Sequence, residues 1–280
     1  MKILFTIILT FLFFTNSFSN DWKVIIDSKF VDWKDIEVEL SQTEKEKLLE
    51  SFYELEMFKA LKDHELVTKS NFHFVHLNED KLVDIVYSGY ARTESNRTIF
   101  LQNTGSSFKI LIDLFGEVAT LEKNLNNKSL KFYILNYPCC AGYTYHIESY
   151  SYYYQTNNLL LDTKVAFIEG TIFPEKKTIN KNFETVHELY RLRTSPVIDN
   201  KIPDKYSTPH EGVGNIIAEF SKGTKGKAIA ESTDETGRVW WFVIISKQSK
   251  TESSIFHNGD NTEESYEFAG WMSSRYVKEL

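Results

Sequence analysis

Two hydrophobic periods divide this chain. From Ser41 the period is helical. Leu48, Phe52 and Leu55 recur at i, i+4 and i+7, with Leu49 and Phe58 on the flanks. One apolar stripe of this kind predicts an amphipathic helix of about 17–20 residues. Ser41-Gln42-Thr43-Glu44 precedes the stripe as a capping box, in which serine and glutamate satisfy each other's exposed N–H groups. The Glu/Lys-rich remainder reads as a solvated face.

From Asn71 to about Asn182 the period falls to two. Phe108, Ile110, Ile112 and Leu114 alternate with Lys109, Leu111 and Asp113, as in a half-buried strand. Asn103-Thr104-Gly105 separates this run from Thr98–Gln102, so residues 98–114 read as a hairpin. Leu130–Tyr137 and Tyr143–Gln155 are further strands, joined through Pro138–Gly142. The polar stretch Lys176–Lys181 reads as a loop and a domain boundary. The expected class is mostly β, α+β overall, with an N-terminal helix-plus-antiparallel-sheet domain over 20–182 and a smaller domain over 186–280.

The first nineteen residues follow a third pattern. Lys2 precedes the apolar run Ile3–Phe14, and Ser17-Phe18-Ser19 supplies a small-x-small site. This is the layout of a secretory signal peptide over 1–19. The apolar run is shorter than the ~20 residues a bilayer requires. The expected product is periplasmic or secreted, and does not span a membrane once cleaved.

Composition narrows the partners. The formal net charge is −7, and 15% of residues are aromatic, with 21 Phe and 15 Tyr. An acidic chain lacks the basic surface that nucleic acid demands. Abundant aromatics fit a strand-rich fold. The two cysteines, Cys139 and Cys140, are adjacent. A trans peptide holds neighbouring Cα atoms about 3.8 Å apart, closer than the ~4.4–6.8 Å usual for a disulfide. They form no disulfide framework, and either a strained vicinal bridge or two thiols satisfies the sequence.

The C-terminal order of pieces resembles a bacterial Src-homology-3-type domain over about 189–280. A strand carrying Leu192-Arg193-Thr194-Ser195-Pro196 is followed by Gly214–Phe220 and the turn Lys222-Gly223-Thr224. Lys227–Ser232, the turn Asp234–Gly237, and Trp240-Trp241-Phe242-Val243 come next. Gly270-Trp271-Met272 and the short turn through Val277 close the set. Two segments depart from the pattern: Asp199–Val213 lengthens the first loop, and Ser249–Phe268 inserts a polar stretch. The resemblance implies a small β-barrel that binds peptide or glycan, such as peptidoglycan. Trp240, Trp271 and Val243 would be core. Trp241 faces away from Trp240 by strand alternation and is expected to be exposed. Trp241 and Tyr276 are therefore the candidate ligand contacts.

A second, shorter resemblance covers 72–114. The run FHFVHLNEDKLVDIVY is similar to one degenerate FG-GAP or VCBS repeat, whose loop presents alternate oxygens to calcium. The corresponding positions are His76, Asn78, Asp80, the Leu82 carbonyl and Asp84. Histidine suits calcium poorly, and Lys81 replaces a glycine while adding a cation. The expectation is a loop closed by hydrogen bonds, with no metal and no cofactor.

No nucleophile elbow and no H-E-x-x-H zinc helix occur in the sequence. Cys139 or Cys140 with His146 would form a Cys/His pair of the kind found in cell-wall peptidases. The pair sits at a strand-connecting turn, however, rather than at a helix start. The sequence thus points to an exported non-catalytic binding protein. Two alternatives remain: carbohydrate stacking on the run Tyr143, Tyr145, Tyr150, Tyr152, Tyr153 and Tyr154, and a wall hydrolase without a recognisable motif.

Overall fold

The computed structural model describes residues 31–55, 58–59, 67–90, 96–124, 129–137, 144–175, 178–201, 214–246, 249, 251–255 and 266–280. The expected leader and the cysteine pair lie outside the described residues. Among the described residues, the chain is mostly β, with antiparallel sheets and one α-helix. None of the described helices is long and apolar enough to cross a membrane.

The helix α1 (Gln42–Glu54) begins as its sequence directs. The Ser41 hydroxyl accepts the Glu44 N–H at 3.3 Å, and the Glu44 carboxylate accepts the Ser41 N–H at 2.9 Å. Removing such a cap costs about 1 kcal/mol. The helix is shorter than its apolar stripe, because the backbone turns extended at Leu55. Phe58 still packs on the stripe, stacking on Phe52 at 4.2 Å.

A four-stranded antiparallel sheet follows, in the order β1 (Phe72–Val75), β2 (Asp84–Tyr90), β3 (Asn96–Asn103) and β4 (Phe108–Phe115). The expected hairpin is the β3–β4 pair. Neighbouring residues of β2 face opposite cores. Ile85 and Tyr87 pack with Phe52 and Phe58 of the helical side. Val86 packs with Phe132 and Tyr150 of a second sheet. The layers are therefore helix, sheet, sheet.

The second sheet begins with β5 (Glu117–Asn124), β6 (Ser129–Asn136), β7 (Thr144–Tyr153) and β8 (Asn158–Ile168), each antiparallel to the next. It continues into the C-terminal strands: β9 (Thr178–Thr185), β10 (Leu189–Arg193), β11 (Ile216–Ser221), β12 (Lys225–Thr233), β13 (Val239–Ile245), β14 (Thr251–Ser254), β15 (Glu267–Ser273) and β16 (Val277–Glu279). The seam is a parallel pairing of β15 with β8. Beyond it the order runs β15, β13, β12, β9, β16, with β10, β11 and β14 branching from β15.

The stretch from Lys176 to Lys181, expected as a loop, is in part strand. Thr178–Thr185 pairs with both β12 and β16. Its polar residues conceal an alternation in which Ile179 and Phe183 reach one core, with Phe183 fully buried.

Both faces of β13 are covered. Trp241, Val243 and Ile245 join Phe183, Leu192 and Phe220 on one side. Trp240, Phe242 and Ile244 join Trp271 and Phe167 on the other. That is why the run VWWFVII is continuously apolar rather than alternating. Gly270 is required where β15 crosses β10, because a Cβ there would lie 2.8 Å from the Arg193 carbonyl oxygen.

Candidate functional site

The residues proposed for a calcium loop spend their polar groups on one another. Asn78 Oδ1 accepts the Asp80 N–H and Asp80 Oδ1 accepts the Leu82 N–H, both at 2.8 Å. His76 Nδ1 lies 2.7 Å from the Leu82 carbonyl oxygen, so it donates there and occupies that acceptor. Asp84 is fully buried and takes two backbone N–H groups, Leu77 at 2.7 Å and Asn103 at 2.8 Å. Burial pushes its carboxyl up to about 6 against the pull of those two donors. Lys81 holds the left-handed φ of 65° that the family glycine would take. The loop is a hydrogen-bonded corner that staples β1, β2 and β3. Among the described residues no three of His, Cys, Asp and Glu converge on a metal position.

The tyrosine run is not an open platform. Tyr150 and Tyr152 are buried, and their hydroxyls donate to Glu148 at 2.6 Å and Asn157 at 2.9 Å. Tyr154 donates to the Leu77 carbonyl. Tyr145 packs edge-on against Tyr137. Tyr143 and both cysteines lie outside the described residues. His146 is buried on β7 with its ring edge toward Tyr266.

The two candidate contacts of the C-terminal unit part company. Trp241 faces away from Trp240, as expected, but is only 7% exposed. The reason is the second covered face of β13. Its indole N–H donates to Glu231 at 3.2 Å, and Lys181 sits over the ring at 5.3 Å. It belongs to the core, so the expected exposure is wrong. Tyr276 is 44% exposed and borders a cavity of about 350 Å³.

This cavity is an open, concave site beside β10. Trp240 lines it, with Tyr276, Leu189 and Ile198 at its apolar walls. Three arginines also line it, Arg191, Arg193 and Arg238, and no carboxylate is among the described lining residues. Arg191 and Arg193 come from β10 at i and i+2, so they share one face of the strand. Arg193 is buried and donates to the Asp199 carbonyl, to Asn215 Oδ1 at 2.7 Å and to Asn200 Oδ1 at 3.0 Å. Arg191 donates to the same Asn200 oxygen at 3.0 Å and to Glu219 at 3.0 Å. A neutral amide oxygen thus joins two cations. Burial first, and then the nearby Arg191 charge, push Arg193 down to about 10.

Arg238 arrives from the β12–β13 turn, which Asp234 organises. Its carboxylate accepts the Arg238 N–H at 3.0 Å and the Trp240 indole N–H at 2.8 Å. The Thr236 hydroxyl and the Trp240 indole hold that carboxyl down to about 2. The Arg238 guanidinium lies over the Trp240 ring at 5.9 Å and reaches Ser273 Oγ at 3.5 Å. Among the described residues it has no ion-pair partner.

The sequence reading named Tyr276 and missed the arginines. The i, i+2 spacing of Arg191 and Arg193 in a strand was a legible sign of a shared basic face. Arg238 carried no such sign, since its position depends on the Asp234 turn. No protein-family model, curated protein or solved structure matches this chain.

Proposed function

We propose that this is an exported, non-catalytic binding protein whose C-terminal strands form a bacterial Src-homology-3-type barrel. Its ligand is a peptide or glycan of the cell wall, taken at the cleft bordered by Tyr276, Trp240 and Arg238. One observation carries the reading: a cavity of about 350 Å³ that joins aromatic and aliphatic walls to a few convergent donors. That is the usual make-up of a small-ligand site, at the lower end of its size range.

Support for the barrel comes from the strands. The pieces that resemble the family pattern fall on β10, β11, β12, β13 and β15, with a short 3-10 turn at Ser274–Tyr276 before β16. Residues from β9, β10, β11, β12, β13 and β15 share one core. Support for binding over catalysis comes from the donor chemistry. The three guanidinium groups stay protonated at neutral pH and so hold an anion without relaying protons, while His187, also in the lining, has its Nδ1 3.2 Å from the Leu189 carbonyl oxygen.

The test is retention of the full chain on purified peptidoglycan, run beside an assay for wall hydrolysis. Retention without hydrolysis is expected, and Tyr276→Ala should reduce it at an unchanged melting temperature. Hydrolysis, or retention that ignores Tyr276, would overturn the proposal.

A further inference from the structure

The charge at the cleft is out of keeping with the chain. The formal net charge is −7, yet among the described residues three arginines and no carboxylate line this one cavity. Glu219 pairs with Arg191 from outside the lining, at 3.0 Å. Asp234 spends its oxygens on the Thr236 hydroxyl, on backbone N–H groups and on the Trp240 indole. Among the described residues the hydrogen-bond acceptors of Arg193 are neutral, namely Asp199 O, Asn215 and Asn200, with the Asp199 charge acting on it at longer range. An amide oxygen therefore joins Arg191 and Arg193, Glu219 answers only Arg191, and among the described residues Arg238 is left without an ion-pair partner.

The shape limits that ligand. The apolar walls, Leu189, Ile198 and Tyr276, are 41%, 52% and 44% exposed, and all three line the cavity. Exposed apolar groups beside unneutralised guanidinium suit a ligand with an anionic end next to an apolar body. Arg238 offers five donors in a planar fork that matches a carboxylate. The one hydrogen bond of its guanidinium among the described residues, to Ser273, is long at 3.5 Å.

We infer that the cleft captures the free C-terminal carboxylate of a short peptide, with Arg238 holding the carboxylate and Leu189, Ile198 and Tyr276 packing on the last side chain. This rests on the peptide-binding reading above and names the end of the peptide that is recognised. Arg191 and Arg193 contribute their field, and Arg238 makes the direct contact. Burial first, and then the Arg191 charge, lower the proton affinity of Arg193, and an arriving anion offsets the charge part.

The experiment is calorimetric titration of the full chain with an N-acetylated tripeptide ending in leucine, with the same peptide as its C-terminal amide, and with inorganic phosphate. The acid should bind at least about tenfold tighter than the amide, the scale of one charge-assisted hydrogen bond. That advantage should shrink between low and high salt. Arg238→Gln should abolish it, leaving amide binding unchanged. If that variant fails to fold, the acid/amide ratio and its salt dependence in the wild-type protein decide alone.

Equal binding of acid and amide would overturn the inference while the peptide-binding reading stands. Phosphate binding tighter than the acid would overturn it in favour of a phosphorylated ligand. Retention on peptidoglycan with neither peptide bound would also overturn it, placing the wall contact on another feature. Loss of both retention and peptide binding would remove the functional reading itself.

Discussion

The corner between β1 and β2 and the cleft beside β10 both gather polar side chains at a sheet edge, and they spend them differently. In the corner, His76, Asn78, Asp80 and Asp84 hydrogen-bond the surrounding backbone and each other. Little is left over for a ligand, and the reward is stability. In the cleft, Arg191 is paired with Glu219, while Arg193 is fixed by Asn200 and Asn215 and neither it nor Arg238 has an ion-pair partner among the described residues. Here the neighbours position the donors and leave the electrostatic work undone. A polar cluster binds a ligand through what its scaffold leaves unmet, and residue types alone do not reveal that.

The largest effect should come from the scaffold behind the cleft. Trp241→Ala is expected to cost about 3–5 kcal/mol, the range for emptying a buried aromatic site. Tyr276→Ala, at a half-exposed wall, should cost less than about 1 kcal/mol. Chemical denaturation of the two variants measures both. Near-equal losses would erase the distinction drawn between core and wall.

Asp84→Ala comes next. It leaves the buried Leu77 and Asn103 N–H groups without acceptors, at about 2–4 kcal/mol for the pair. The same residue carries a pH signature. Its carboxyl titrates at about 6 in the folded chain against 3.8 for the ordinary group. The folded state therefore binds the proton more tightly. The contribution is fully present below the ordinary value and is lost as pH rises through about 6, at most about 3 kcal/mol. Denaturation of wild type and Asp84→Ala between pH 4 and 7 should differ by that slope. A parallel pair of curves would mean that the two N–H donors already offset burial.

Two smaller tests sharpen the corner. Lys81 sits at φ 65°, where a non-glycine residue is strained by ~1–2 kcal/mol and glycine's extra chain entropy costs ~0.5–1 kcal/mol. Lys81→Gly should therefore stabilise by up to about 1 kcal/mol. Millimolar calcium should leave the melting temperature unchanged, because binding would first break the bonds that close the loop. Even a weak site, with Kd ~10⁻⁴–10⁻³ M, would raise it measurably. A rise that vanishes in Asp80→Ala would turn the corner into a metal site and dissolve the contrast.

Local signals were legible in the sequence, and global ones were not. The capping box at Ser41, the β3–β4 hairpin and the positions of β6 and β7 follow from nearest-neighbour chemistry. The strand β9 was hidden, because Ile179 and Phe183 stand among polar residues and acquire meaning only beside β12 and β16. Trp241 was misjudged for a related reason. Alternation assigns a residue to a face, but only the packing of Phe183, Leu192 and Phe220 against Trp241 shows that this face of β13 is covered as well as the Trp240 face. At the site, Tyr276 and the shared face of Arg191 and Arg193 were within reach of the sequence. Arg238 was not, since the Asp234 turn that aims it acts through three-dimensional hydrogen bonds.

The contrast between the closed corner and the open cleft can be read in one titration. An N-acetylated tripeptide with a free C-terminal carboxylate is added to the full chain while the amide and indole signals are followed by NMR. The account predicts shifts of the Trp240 indole N–H and of the amides around Arg238 and Tyr276, with residues 76–84 unmoved. Shifts confined to residues 76–84, or none near Trp240 at saturating peptide, would contradict it.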